Sequence, residues 1–128
     1  MANRARPLSP HLQVYRWRAN MTVSIVHRVT GVGLTIAGAG ILLWWLLAAA
    51  SGAEAYARFL EVALTPVGLL VLFGLTAVFW QHFFSGLRHL YMDTGAGYEP
   101  AKSRRLASLT FLGTLVATLA TWAIIFFA

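Results

Sequence analysis

The residues best suited to chemistry stand in two short runs, SIVHR from Ser24 to Arg28 and HFFSGLRHLYMD from His82 to Asp93. The first sets a hydroxyl, an imidazole and a guanidinium at i, i+3 and i+4, positions that share one face of a helix. Such a group can hold an anion or stabilise negative charge that develops on an oxygen. The second sets His82 and His89 seven residues apart, so on a helix both imidazoles lie on one face, about 10 Å apart. An imidazole kept from water serves as a metal ligand, a proton carrier or a hydrogen-bonding partner for a neighbouring helix, and position alone leaves ligand and structural roles open for His82. Arg28 alone equally suits snorkelling toward a membrane surface; Ser24 and His27 beside it shift the reading toward binding.

The elements that must position these groups are membrane spans. Of 128 residues, 59% are apolar and only 11% charged, with a mean hydropathy of +0.68, which excludes an ordinary soluble domain. Asp, Glu, Lys and Arg are absent from Val29 to Ala53, from Val62 to Leu87 and from Leu106 to Ala128. Each run exceeds the roughly 20 residues that cross a bilayer. The expectation is one domain, 1–128, an all-α integral membrane protein with three transmembrane helices over 22–50, 62–93 and 104–127. Asn20 or Thr22 suits the start of the first helix and Ser51-Gly52 its end. Thr65-Pro66 places a proline at an N1-like position of the second, although that helix is allowed a start one turn earlier. Gly95 suits the second helix's stop and Ser103 the cap of the third.

The net charge of +6 would suit nucleic acid if it formed a solvated face, but its distribution follows membrane topology. Arg4, Arg6, Arg16, Arg18 and Arg28 precede or enter the first span, and Arg88, Lys102, Arg104 and Arg105 surround the second loop. Between the first two spans only Arg58 stands, beside Glu54 and Glu61. The positive-inside rule puts the N-terminus and second loop in the cytoplasm, and no nucleic-acid partner is expected. The first apolar run is too long for a signal peptide. A bacterial cytoplasmic (inner) membrane is expected before a mitochondrial inner membrane, because a motif beginning at Arg6 leaves no room for a presequence. With no cysteine, the chain supplies neither a disulfide nor the thiolates of an iron–sulfur cluster.

Gly31-Val32-Gly33 opens like a dinucleotide fingerprint, but Ile36 takes the third glycine's place inside a span. Gly31, Thr35 and Gly38 instead form a small-residue stripe at i, i+4 and i+7, suited to helix packing or to the approach of a flat cofactor. Tyr15, Trp17, Trp44, Trp45 and Tyr91 read first as interfacial anchors.

The first span leaves the cytoplasmic side near Asn20 and the second returns there near Arg88, so the two polar clusters share one membrane face and can meet. His82 lies six residues before Arg88, about 9 Å deeper along the axis. His82 and His89 cannot both ligate one haem iron, because axial ligands approach from opposite sides of the porphyrin. If His82 holds such an iron, the opposite ligand comes from another helix. His27 is a poor donor because it sits nearer the surface, and a partner subunit is the natural source. Gly86, one turn from His82, removes a side chain where a porphyrin would lie, or simply packs a helix.

These residues carry a family resemblance. HFFSGLRHLYMDTG resembles the second-helix signature of the cytochrome b556 membrane-anchor subunits of succinate dehydrogenase (succinate:quinone oxidoreductase, respiratory complex II), a pattern H-x-x-x-G-L-R-H-L-x-M-D-x-G. RPLSPHLQVYRW from Arg6 and SIVHRVTG from Ser24 to Gly31 match the first motif. The resemblance implies that His82 is the axial ligand of haem b, the other ligand coming from a second membrane-anchor subunit that completes the haem-binding bundle. It implies that Ser24 and Arg28 line the ubiquinone site and that His27 and Arg28 lie beside the haem propionates. His89 is implied at a propionate or in the shell around it, and Asp93 as an aid to helix termination. FAD and iron–sulfur clusters would sit only in the flavoprotein and iron–sulfur subunits, and this chain would not be catalytic alone.

Three rivals belong to other classes. A fumarate reductase anchor would run the reaction in the opposite direction. A haem-free anchor would use His82 only for packing. A small channel or transporter subunit fits poorly, because the polar groups cluster at one membrane face.

Overall fold

The computed structural model describes Pro10 and residues 14–127. Arg4, Arg6 and most of the RPLSPHLQ segment lie outside the described residues. The chain forms α1 (Ala19–Gly33), a π-helical turn (Leu34–Gly38), α2 (Ala39–Ser51), α3 (Ala53–Ala63), α4 (Pro66–Asp93) and α5 (Pro100–Phe127). Residues Ala19–Ser51, α4 and α5 are the three helices long and apolar enough to cross a membrane, with 33, 28 and 28 residues. At about 1.5 Å per residue they reach about 50, 42 and 42 Å, more than a hydrocarbon core of about 30 Å, so their polar ends stand at the interfaces.

The helix ends depart from the expected ones in three places. α1 begins at Ala19 after an extended Arg18, with no side-chain cap. Asn20 instead donates from Nδ2 to Ser103 Oγ (3.0 Å), and Thr22 Oγ1 accepts from Trp17 Nε1 (2.7 Å). The second span begins at Pro66 rather than 62, because Thr65 accepts from Gly68 N (3.0 Å) and takes the N-cap. A Cβ on Gly68 would collide with the carbonyls of Val62 and Ala63, so the turn from α3 into α4 is closed around that glycine. α5 begins at Pro100 rather than 104. Ser103 lies inside its first turn, its N–H on Glu99 O (2.8 Å) and its hydroxyl turned toward α1 and α4. Gly52 (φ +107°) and Gly95 (φ +84°) stand just past the first and second spans, as the sequence suggests.

The charged stretch between the first two spans is helical. α3 sets Phe59 and Ala63 against Ala48, with Leu60 and Leu72 packed around them and the Trp44 ring edge-on to Phe59 at 4.9 Å. Its outer side carries the exposed Arg58–Glu54 pair.

The inter-helix contacts are polar and small. α4 packs on α1 and α5, and α1 also reaches α5. The buried residues there are Thr30, Gln81, Ser85, Arg88, Ser103, Thr110 and Thr118 with Val23 and Ala107, while most of the large Leu, Ile and Phe side chains face outward. Lipid tails already satisfy apolar side chains, so close backbone approach and hydrogen bonds hold the spans. Gln81 shows the pattern: its Oε1 accepts from Thr114 Oγ1 (2.9 Å) and its Nε2 lies 3.5 Å from Thr110 Oγ1. Gly113 opens α5 to the Phe84 ring, which a Cβ there would meet at 3.2 Å.

Candidate functional site

Antiparallel packing of α1 on α4 brings the two sequence clusters together. The rings of His27 and His82 stack with centroids 4.0 Å apart and planes 9° from parallel. His27 also meets His89, at 5.0 Å and 50°. The i, i+7 spacing on α4 leaves a gap of about two turns between His82 and His89, and the α1 imidazole is the ring that contacts both. Gly86 faces this ring: a Cβ there would lie 3.9 Å from His27 Cε1, an ordinary contact.

Hydrogen bonds fix how His82 is presented. Its Nδ1 lies 3.2 Å from His27 O and 3.2 Å from Thr30 Oγ1. Thr30 Oγ1 itself donates to Val26 O (2.8 Å), the usual return of a helical threonine to the preceding turn. A carbonyl can only accept, so the proton of a neutral His82 belongs on Nδ1 and the lone pair on Nε2. His27 is held similarly, its Nδ1 2.6 Å from Ser85 Oγ. Ser85 has one hydrogen, and Gln81 O stands 2.7 Å away; with that hydrogen on the carbonyl, His27 donates from Nδ1.

A groove of about 500 Å³ beside these rings is lined by His27, Arg28, Gly31, Val32, Thr35, Ile36 and His82. Gly31 belongs there for steric reasons, because a Cβ would sit 3.1 Å from His82 Cε1. Thr35 closes back on Gly31 O (2.9 Å). The stripe expected from Gly31, Thr35 and Gly38 does not persist. The π-helical turn inserts an extra residue and rotates the remainder of the span by about 100°, so Gly38 faces a separate apolar cavity of about 810 Å³ with Leu34, Trp45 and Trp80. Ser24, one turn toward the N-terminal end of α1 from Arg28, makes no side-chain hydrogen bond among the described residues and is not in the groove lining. The structure thus joins His27, Arg28, His82 and His89 and leaves Ser24 at the edge.

Three participants escape the sequence reading. Thr30 and Ser85 stand three residues after His27 and His82, the spacing of a same-face neighbour, and that spacing was the available signal. Arg88 is buried at 8% exposure, with Nη2 on Ser103 Oγ (3.1 Å). Its depth depends on α5 crossing beside α4, which no local pattern states.

Fold and site together define a three-span membrane protein with an imidazole cluster between its first two spans, toward the N-terminal end of α1 and the C-terminal end of α4. The chain belongs to the family described as succinate dehydrogenase/fumarate reductase transmembrane subunit, whose profile matches residues 2–121. It is 38% identical over 121 residues to the succinate dehydrogenase cytochrome b556 subunit of Paracoccus denitrificans, covering 94% of this chain and 92% of that one. The same subunit of Rickettsia felis is 35% identical over 94 residues, 73% of this chain and 72% of its own. The mitochondrial cytochrome b560 subunit of Sus scrofa is 36% identical over 96 residues, 72% of this chain and 55% of its own. The multi-pass inner-membrane placement expected from the sequence stands on the three spans and on these bacterial relatives.

Proposed function

We propose that the chain anchors a succinate dehydrogenase, holds haem b through His82, and forms part of the site where ubiquinone is reduced. The observation that carries this reading is the presentation of His82: Nδ1 is tied to the His27 carbonyl, Nε2 keeps its lone pair, and Arg28 stands in the same groove. His82 fits the holding of haem iron, since a ring nitrogen fixed by a carbonyl sets the tautomer and orientation of the other one. When bound, haem b supplies a one-electron carrier within the membrane.

The chain's own residues have separable tasks in this reading. His82 would ligate iron. Arg28 would meet the propionates with its guanidinium, His27 would lie beside them, and His89 would complete that end. Arg28 with the Ser24 hydroxyl would stabilise negative charge on the quinone oxygens before protons arrive from the cytoplasmic face. Two electrons and two protons convert ubiquinone to ubiquinol. The electrons would come from succinate through a flavoprotein subunit and an iron–sulfur subunit, and a second anchor subunit would supply the other haem ligand. With no cysteine, this chain would supply none of the cluster thiolates, in keeping with clusters held by a partner.

The test compares His82→Ala with Arg28→Leu and Ser24→Ala in the assembly purified through a tag on this chain. His82→Ala should remove the haem band. Ser24→Ala should keep it and Arg28→Leu, which also loses a propionate partner, should weaken it without removing it, while both lower succinate-dependent quinone reduction by about a hundredfold or more, the scale of losing a charge-stabilising donor. Equal loss of haem from all three would sink the division of tasks.

A further inference from the structure

Two hydroxyls tie the imidazoles of α1 and α4 together reciprocally. Thr30 stands three residues after His27 and meets His82, while Ser85 stands three residues after His82 and meets His27. The two ties are unequal. His82 has a second acceptor in His27 O, whereas Ser85 Oγ is the one hydrogen-bond partner of the His27 ring among the described residues. Ser85 is fully buried between the helices, where alanine would serve packing alone; its oxygen lies 2.6 Å from His27 Nδ1 and 2.7 Å from Gln81 O. Two proton arrangements exist for these three groups. If Ser85 donates to His27, only that one contact is a hydrogen bond. If Ser85 donates to Gln81 O and accepts from His27 Nδ1–H, both are. A site closed to water favours the fuller set.

We propose that Ser85 is a positioning residue of this site: it fixes His27 as the Nδ1–H tautomer, parallel to His82, and the His27 ring is the wall that keeps the His82 ring from tilting. The carbonyl bond to His82 Nδ1 places one atom of that ring, and at 3.2 Å it leaves the ring plane free to turn about the contact. The His27 ring, with its centroid 4.0 Å away and its plane 9° from parallel, removes that freedom. The effect on iron rests on His82 being the haem ligand, as proposed above. The hold of Ser85 on His27 does not.

The haem-free full chain, labelled with nitrogen-15 in its four histidines, is measured by solid-state NMR in phosphatidylcholine bilayers at about pH 9, where an ordinary imidazole is neutral. A ring nitrogen bearing hydrogen resonates apart from one with a lone pair, and the His27 signals are those missing from His27→Phe. His27 should be the Nδ1–H tautomer. Ser85→Ala should cut its ratio of Nδ1–H to Nε2–H about fivefold, the effect of one hydrogen bond, and Thr30→Val should leave that ratio unchanged. In the oxidised, haem-bearing assembly, the lowest-field electron paramagnetic resonance follows the angle between the axial ring planes. Ser85→Ala and His27→Phe should each shift it, and the double variant should shift it no further than His27→Phe, because Ser85 acts through His27. His27 as Nε2–H in the parent, an unchanged ratio or an unshifted resonance in Ser85→Ala, or additive shifts in the double variant overturns the proposal. A parent assembly without haem would instead sink the function proposed above, and the tautomer ratios alone would then decide whether Ser85 holds His27.

Discussion

Gly31→Ala separates the presentation of His82 from the stability of the fold. The added Cβ would lie 3.1 Å from His82 Cε1, a contact that makes the ring give by a few tenths of an ångström. The Nδ1 to His27 O distance is already 3.2 Å, at the long end of an N–H···O bond, so that displacement takes the bond out of range. Folding changes little, because two terms oppose: alanine in a helix interior gains about 1 kcal/mol over glycine, while the overpacked contact costs about 1–3 kcal/mol. Ligand presentation has no such offset. Losing the partner that orients a metal-ligating imidazole weakens the metal about 10- to 100-fold. The variant should therefore accumulate and melt within a few degrees of the parent, yet bind haem about tenfold or more weakly in a titration read at the b-type absorption band. Gly31→Val should lose haem further. Full haem affinity with an unshifted band in both variants would refute this view of how His82 is held.

Thr65→Ala removes the cap at the start of α4 and should destabilise the chain by about 1 kcal/mol, measured as a lower melting temperature in detergent with haem content unchanged. Gly68→Ala should reduce the folded yield sharply, because its Cβ would strike backbone carbonyls that cannot move as a flexible side chain can; normal yield would show that the turn relaxes. Gln81→Leu removes the hydrogen bonds to α5 and should cost about 0.6–2 kcal/mol in a helix-separation assay. His82 should stay in place in that variant, since its ring is held from α1, and a lost haem band would contradict this.

Charge-free runs of more than 20 residues made the three spans legible, because a bilayer imposes its thickness on sequence directly. Thr65-Pro66 marked the start of α4, and Gly52 and Gly95 marked two ends. Asn20, Thr22 and Ser103 misled as caps because the same hydroxyl and amide groups have other partners: Thr22 takes the Trp17 indole just before the helix, and Ser103 joins Asn20 and Arg88 across three helices. α3 was obscured by its length: eleven residues with Glu54, Arg58 and Glu61 resemble a polar loop unless Phe59 and Ala63 are known to meet Ala48. For the site, i, i+3 and i+4 spacing and antiparallel spans were enough to expect His27, Arg28, His82 and His89 at one membrane face. The π-helical turn was not legible, since it lies within a run of apolar and small residues with no proline or charge to mark it. It divides Gly38 from Gly31 and Thr35, so the stripe serves two cavities rather than one. Burial of Arg88 was equally hidden, because it needs the position of α5.

Haem ligation by His82 is best put to the test by a visible difference spectrum of the assembly purified through a tag on this chain, recorded after succinate and then after dithionite. A b-type band should appear with succinate, grow no more than modestly with dithionite, and be absent from His82→Ala. No band under either reductant, or an unchanged band in His82→Ala, would contradict the assignment of His82 as the iron ligand.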